Sequence, residues 1–155
     1  MPTYDVRCSE CGSRATASMQ RAGIRGSYRQ PLPRVIAKRV TCVRCGSIRE
    51  SETADGVPFE LWFKAGFRGG RTIWFRDERH GEALLAWLEG DRERRSAPGP
   101  ERAWLETLPK WMLDAKNRSE VSSVVRRLLE DARQQPIAAD SRDGRRSAPP
   151  SRACS

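Results

Sequence analysis

Four cysteines at two equal spacings, Cys8-Ser9-Glu10-Cys11 and Cys42-Val43-Arg44-Cys45, are the residues of this chain best suited to chemistry. Each Cys-x-x-Cys lets two thiolates from one tight turn reach the same ion. Each is followed by a glycine, Gly12 or Gly46, that turns the chain after the second sulfur without steric cost. Together they predict one closed four-cysteine site in which Cys8, Cys11, Cys42 and Cys45 hold a single structural Zn2+. A catalytic zinc keeps one coordination position open for water, usually beside histidine or carboxylate, so this ion is expected to hold the fold rather than react. Spacing by itself leaves iron, or two redox disulfides, as alternatives. The fifth cysteine, Cys154, stands in a polar tail and reads as an exposed free thiol.

The elements that must position these sulfurs are small. A chain of 155 residues is about one ordinary domain, or two very small ones with a tail, and a ribbon-sized N-terminal part buries too little apolar surface to fold without its metal. The net charge of +9 is uneven: residues 1–50 carry ten Arg or Lys against three acids, a net +7. A zinc tetrathiolate is formally −2, which leaves about +5 on that module, a charge that attracts polyanions. No run approaches the roughly 20 apolar residues of a membrane span, and the N-terminus meets Asp5 and Arg7 without an apolar signal core. A soluble cytoplasmic protein is expected.

Between the knuckles, the segments Gly23-Ile24-Arg25-Gly26-Ser27 and Gln30-Pro31-Leu32-Pro33-Arg34 have turn or loop chemistry, and Arg34 to Thr41 reads as a strand that delivers the second knuckle. The intervening loop is expected to project Arg21, Arg25 and Arg29 beside Tyr28; with Lys38, Arg39 and Arg44 these are the candidate nucleic-acid contacts. A solvated loop without a ligand carries equal weight. Next, Phe59 to Lys64 and Arg71 to Arg76 form a hairpin around a glycine-rich turn, with Phe59, Leu61 and Phe63 on one face and Trp62 on the other, and Ile73 and Phe75 opposite Trp74. Trp62, Trp74 and Arg76 are the candidate partner-binding residues, with packing the commoner use of tryptophan.

Asp77 caps a helix whose stripe is Leu84, Leu85, Trp87 and Leu88, ending before Gly90. His80, the one histidine, reads as a packing or hydrogen-bonding residue rather than a ligand or base. Ser96 to Pro100 is a break. Trp104, Leu105 and Leu108 then stand at helical spacing before Pro109, and Trp111, Met112 and Ala115 make a short second helical piece. Asn117 with Glu120 has capping-box spacing, and Val121, Val124, Val125, Leu128, Leu129 and Ala132 mark the clearest helix, with a solvated polar face. From Pro136 the composition predicts disorder.

The fold class is thus small α+β: a four-cysteine zinc ribbon with β-hairpins over 1–56, an aromatic β-hairpin plus helix over 57–95, C-terminal helices over 101–134 and a disordered tail over 135–155. The order of parts, including Leu61-Trp62, Phe67-Arg68-Gly69, His80, Leu108 to Met112 and Ala115 to Arg118 with Glu120-Val121, resembles a group of small uncharacterised bacterial zinc-ribbon proteins over about residues 5–133. The hairpin here ends Phe75-Arg76-Asp77, where that group often has Tyr-Asn before the acidic residue. The resemblance implies the architecture and a bacterial cytoplasmic setting, and no activity.

Neither a Gly-rich phosphate loop nor a Ser/His/Asp set is present, so no catalytic residue is assigned and no small-molecule substrate is expected. A thiol redox role for the Cys-x-x-Cys pairs is the remaining enzymatic reading. Charge points to a non-enzymatic accessory protein that binds RNA or DNA through its basic N-terminal module. Aromatic density points to the alternative, an adaptor that docks a protein through the hairpin and the C-terminal helices.

Overall fold

The computed structural model describes residues 1–25, 32–90, 105 and 108–135. The expected disordered tail from Pro136 on, the break at Ser96 to Pro100, Trp104, Tyr28, Arg29 and Cys154 all lie outside the described residues. Within them the chain is α+β. Strands β1 (Thr3–Arg7), β2 (Arg14–Arg25), β3 (Leu32–Thr41) and β4 (Ile48–Glu50) form one antiparallel sheet in that order. Strands β5 (Lys64–Phe67) and β6 (Arg71–Trp74), joined by a 3-10 turn at Arg68–Gly70, form a second sheet. Among the described residues three named helices follow: α1 (Glu78–Leu88), α2 (Lys110–Leu113) and α3 (Arg118–Gln134).

The largest departure from the sequence reading lies between the knuckles. The described part of the stretch read as a loop, Arg21 to Arg25, is instead the outer end of a 12-residue strand, β2, paired with β3 from Thr16↔Thr41 out to Arg25↔Leu32. Of two register shifts, the one between Ser18 and Met19 skips Lys38, and the one between Arg21 and Ile24 takes up Gly23 beside the Ile24↔Pro33 pair. Near the knuckles this sheet buries Val6, Ala15, Ala17, Met19, Ala37, Val40 and Val57 together with Cys8 and Cys42. Farther out, β1 pairs only as far as Ser18 and β4 only with Arg39 to Thr41, so the distal β2–β3 ribbon runs on beyond its neighbours with Ile24 75% exposed.

A second core gathers Phe63, Ile73, Phe75, Leu84, Leu88, Leu105, Leu108, Met112, Val121, Val125, Leu129 and Ala132. The hairpin expected over Phe59 to Arg76 is present, but its first strand is divided. Leu61 bridges Val6, the Arg7 amide donates to the Glu60 carbonyl and the Trp62 amide to the Asp5 carbonyl, so this stretch runs along β1 before β5 pairs with β6. Phe63 turns inward at the change of partner and stacks on Phe75 with ring centroids 4.5 Å apart, while Phe59 stays exposed. The divided strand joins the two cores by backbone hydrogen bonds, to which the Asp5 amide adds one to the Arg76 carbonyl at 2.7 Å.

Asp77 caps α1, its Oδ1 accepting from the His80 amide at 2.9 Å. Burial acts to raise the Asp77 carboxyl, but hydrogen bonds from His80 outweigh it and hold the group below the usual carboxylate range. His80 is fully buried, its Nδ1 3.2 Å from Asp77 Oδ1, which accords with a packing role. The capping box expected at α3 does not form. Asn117 is already helical in φ and ψ, and its Nδ2 donates to the Trp111 carbonyl, tying α2 to α3. Glu120 instead takes the Arg68 guanidinium of the 3-10 turn. On the face of α3 read as solvated, Arg126 reaches across to Glu89, the C-cap of α1, and Arg133 to Glu82 of α1.

These two helices can approach because of Gly81, where a Cβ would stand 2.6 Å from Phe75 Cε2 and 2.9 Å from Leu129 Cδ2. Gly81→Ala is expected to lower stability by about 1–3 kcal/mol through overpacking, despite alanine's higher helix propensity. Urea unfolding checks this; a variant as stable as the parent would mean that the crossing is looser than its distances imply.

Candidate metal centre

The two knuckles are copies of one turn. In each, the first cysteine's amide donates to the carbonyl five residues on (Cys8 to Ser13 at 2.8 Å, Cys42 to Ser47 at 2.9 Å), and the glycine amide donates back to the first cysteine's carbonyl at 2.9 Å (Gly12 to Cys8, Gly46 to Cys42). Closing that turn requires a positive φ after the second cysteine, and Gly12 and Gly46 supply +71° and +73°. β1 and β2 flank the first knuckle, β3 and β4 the second, and the pairing of β2 with β3 brings the two turns face to face.

All four sulfurs lie within 4.8 Å of one another, with Cys8 Sγ to Cys45 Sγ at 3.7 Å and Cys11 Sγ to Cys42 Sγ at 3.6 Å. A disulfide needs about 2.05 Å, so neither distance is a bond. Sulfurs each about 2.3 Å from a tetrahedral zinc stand roughly 3.8 Å apart, close to the spacing seen here. The expected set Cys8, Cys11, Cys42 and Cys45 is therefore positioned to bind one metal ion, and the module is zinc-ribbon-like.

Burial is asymmetric. Cys8 and Cys42 are buried among Ala15, Ala17 and Val40, whereas Cys11 and Cys45 are exposed. Hydrogen bonds from the Ser13 side chain and amide lower the Cys11 thiol to about 6. At Cys45 the Ser47 amide acts in the same direction but is outweighed by desolvation and the three neighbouring sulfurs, and the thiol is pushed up to about 12. Four sulfurs this close cannot all ionise without a cation among them, which is what a divalent metal supplies.

Around the centre the candidate basic residues divide. Lys38 sits at the register shift and donates to the Thr53 carbonyl at 3.1 Å, and Arg39 pairs with Glu50 at 3.3 Å. Both line a shallow cleft shared with Glu50 and Glu52, so acids dilute their charge. Arg21 on β2 and Arg44 in the second knuckle are exposed and have no ion-pair partner among the described residues; Arg25 ends β2. Trp62, Trp74 and Arg76 are each partly buried. The Arg7 guanidinium lies 5.1 Å over the Trp62 ring, and Arg76 Nε is 3.2 Å from Asp77 Oδ2.

One cluster was invisible in the sequence. Arg14, which follows the first knuckle, is buried, reaches Asp5 Oδ2 at 2.7 Å and Glu78 Oε1 at 2.5 Å, and lies 5.3 Å over the Phe63 ring. It ties β1 and β2 to the start of α1. Burial alone would lower Arg14, but the two carboxylates outweigh it and hold its proton more firmly. Burial pushes Asp5 above the usual range against the pull of Arg14, because Asp77 and Glu78 lie close by and one guanidinium serves several acids.

No family model, curated protein or solved structure matches the chain. Among the described residues no helix is long and apolar enough to cross a membrane.

Proposed function

We propose that this chain is a non-enzymatic accessory protein whose four cysteines hold one zinc ion, and whose ribbon binds nucleic acid. The observation that carries the reading is the distal β2–β3 extension. Exposed Arg21 stands on a two-stranded ribbon that outruns the flanking strands, in an N-terminal segment of net +7. A two-stranded ribbon fits a duplex groove or lies along a single strand, and arginine suits phosphate. Arg44 sits on the knuckle that the metal fixes in place. Surface pairs such as Arg39–Glu50 are worth little and yield to a phosphate. The adaptor reading has less support, because Arg76 is paired with Asp77 and both tryptophans of the hairpin are partly buried.

Two measurements test this. Elemental analysis is expected to find one zinc per chain. Binding to a labelled oligonucleotide should weaken with salt, and the double variant Arg21→Ala, Arg44→Ala should lower the log–log salt slope by roughly 1.4–1.8, as two lost phosphate contacts require. A slope unchanged in the double variant would remove the basic ribbon from the interaction.

A further inference from the structure

A cleft of about 300 Å³ lies where the first knuckle, the start of β5 and the last turn of α3 meet. Its walls include Arg7, Trp62, Lys64, Asp131, Gln134 and Gln135. The volume is at the lower end of that for small-ligand sites, enough for one planar group. Most polar side chains here are uncommitted: Lys64, Asp131, Gln134 and Gln135 have no side-chain hydrogen-bond or ion-pair partner among the described residues. Elsewhere on α3, Arg126 is paired with Glu89 at the C-cap of α1 and Arg133 with Glu82, whereas Arg127 and Glu130 are exposed with no ion-pair partner among the described residues.

The chemistry of the walls is divided. At one end stand Lys64, the indole of Trp62 and, 5.1 Å over the ring, the Arg7 guanidinium, which also lies 3.9 Å from Glu60 Oε2 and donates to the Gly12 carbonyl at 3.4 Å. At the other stand the Asp131 carboxylate and two amides, at a helix C-terminus whose free carbonyls repel anions. A phosphate alone would not be placed against that second end. A flat ring that stacks on an aromatic or guanidinium plane, offers two adjacent N–H donors to a carboxylate and trails a phosphate toward cations meets both. Among the nucleobases guanine has that edge, its ring N–H and exocyclic amine side by side, with a carbonyl beside them for an amide donor.

We propose that this cleft receives one unpaired guanine of a single-stranded nucleic acid. Asp131 accepts from the base edge, Gln134 or Gln135 donates to its carbonyl, the Trp62–Arg7 pair supplies the stacking surface, and Lys64 meets the adjoining phosphate. The inference rests on the nucleic-acid reading above and adds a base preference to it.

The test uses the full metal-loaded chain and short uridine oligomers, RNA and DNA versions, with one central base varied, read by fluorescence anisotropy. A central guanine should tighten binding about tenfold over adenine, and inosine, which lacks the exocyclic amine, should lose most of that gain. Asp131→Asn, an exposed and nearly isosteric change, should bring the guanine-over-adenine affinity ratio to about one, read within the same variant so that any general change in oligonucleotide affinity cancels. Equal binding of guanine and adenine oligomers, with salt-sensitive binding retained, would overturn the cleft assignment and leave the basic ribbon standing. So would a guanine preference that survives in Asp131→Asn. No binding of any oligomer would overturn both.

Discussion

Replacing Cys42 by serine is expected to abolish metal retention and unfold the four-stranded sheet. Cys42 is 1% exposed, lies 3.6 Å from Cys11 Sγ and belongs to the same small core as Ala17, Met19 and Val40. That core is built mainly from alanines and valines, which bury little area each. A metal bound by the four cysteines would therefore carry much of the stability. In zinc-finger peptides structural zinc contributes about 10–16 kcal/mol at neutral pH, as much as or more than the whole stability of an ordinary domain. The readouts are metal content and hydrogen exchange of the β2 and β3 amides, with Cys154→Ser as a control that should retain one ion per chain. Because the second core contains none of the four cysteines, far-UV signal from α1 and α3 should outlast the loss of the sheet. A metal-free variant with protected β2 and β3 amides would show that the ribbon folds on packing alone.

The second large effect is expected at Arg14. Arg14→Leu leaves Asp5, also buried, without the guanidinium that neutralises it, a loss of about 3–5 kcal/mol for breaking one side of a buried pair. The pH dependence has a definite sign. Burial already raises the Asp5 carboxyl in the parent, so its ionised form opposes folding and the stability it contributes falls as pH rises through its folded-state value. Without Arg14 that value rises further. The deficit of Arg14→Leu should therefore be greatest at neutral pH and shrink on acidification as Asp5 takes up a proton. Guanidinium-chloride unfolding across the acid range measures it; a deficit independent of pH would mean that lost packing over Phe63, and not the bared carboxylate, dominates.

Much of the metal site was legible because its signal is short-range. Four ligands and two glycines stand at fixed offsets, and the turns they specify are closed by hydrogen bonds within each knuckle. Helices α1 and α3 were legible for a related reason, since Asp77 and the spacing of Val121, Val125, Leu129 and Ala132 encode a cap and a face locally. What failed depended on partners far away in the chain. Gly23 and Pro33 looked like loop because turn propensity is local, whereas β2 and β3 are held by pairing between residues far apart in the chain, from Thr16↔Thr41 to Arg25↔Leu32. The capping box at Asn117 lost to Trp111 and Arg68, neither of which sequence spacing announces. Arg14 looked like any other basic residue until β1 and α1 closed over it.

The distal ribbon has a consequence for solubility. Beyond Met19 and before Ala37 the described strands leave hydrogen-bonding groups on both outer margins, the arrangement that lets molecules zip together into cross-strand aggregates. Pro33 removes one donor, the offset between Arg21 and Ile24 spoils a straight template, and Arg21 adds like-charge repulsion between molecules. The same guanidinium that suits a polyanion also acts as a gatekeeper, so charge removal here should be watched for turbidity as well as for weakened affinity.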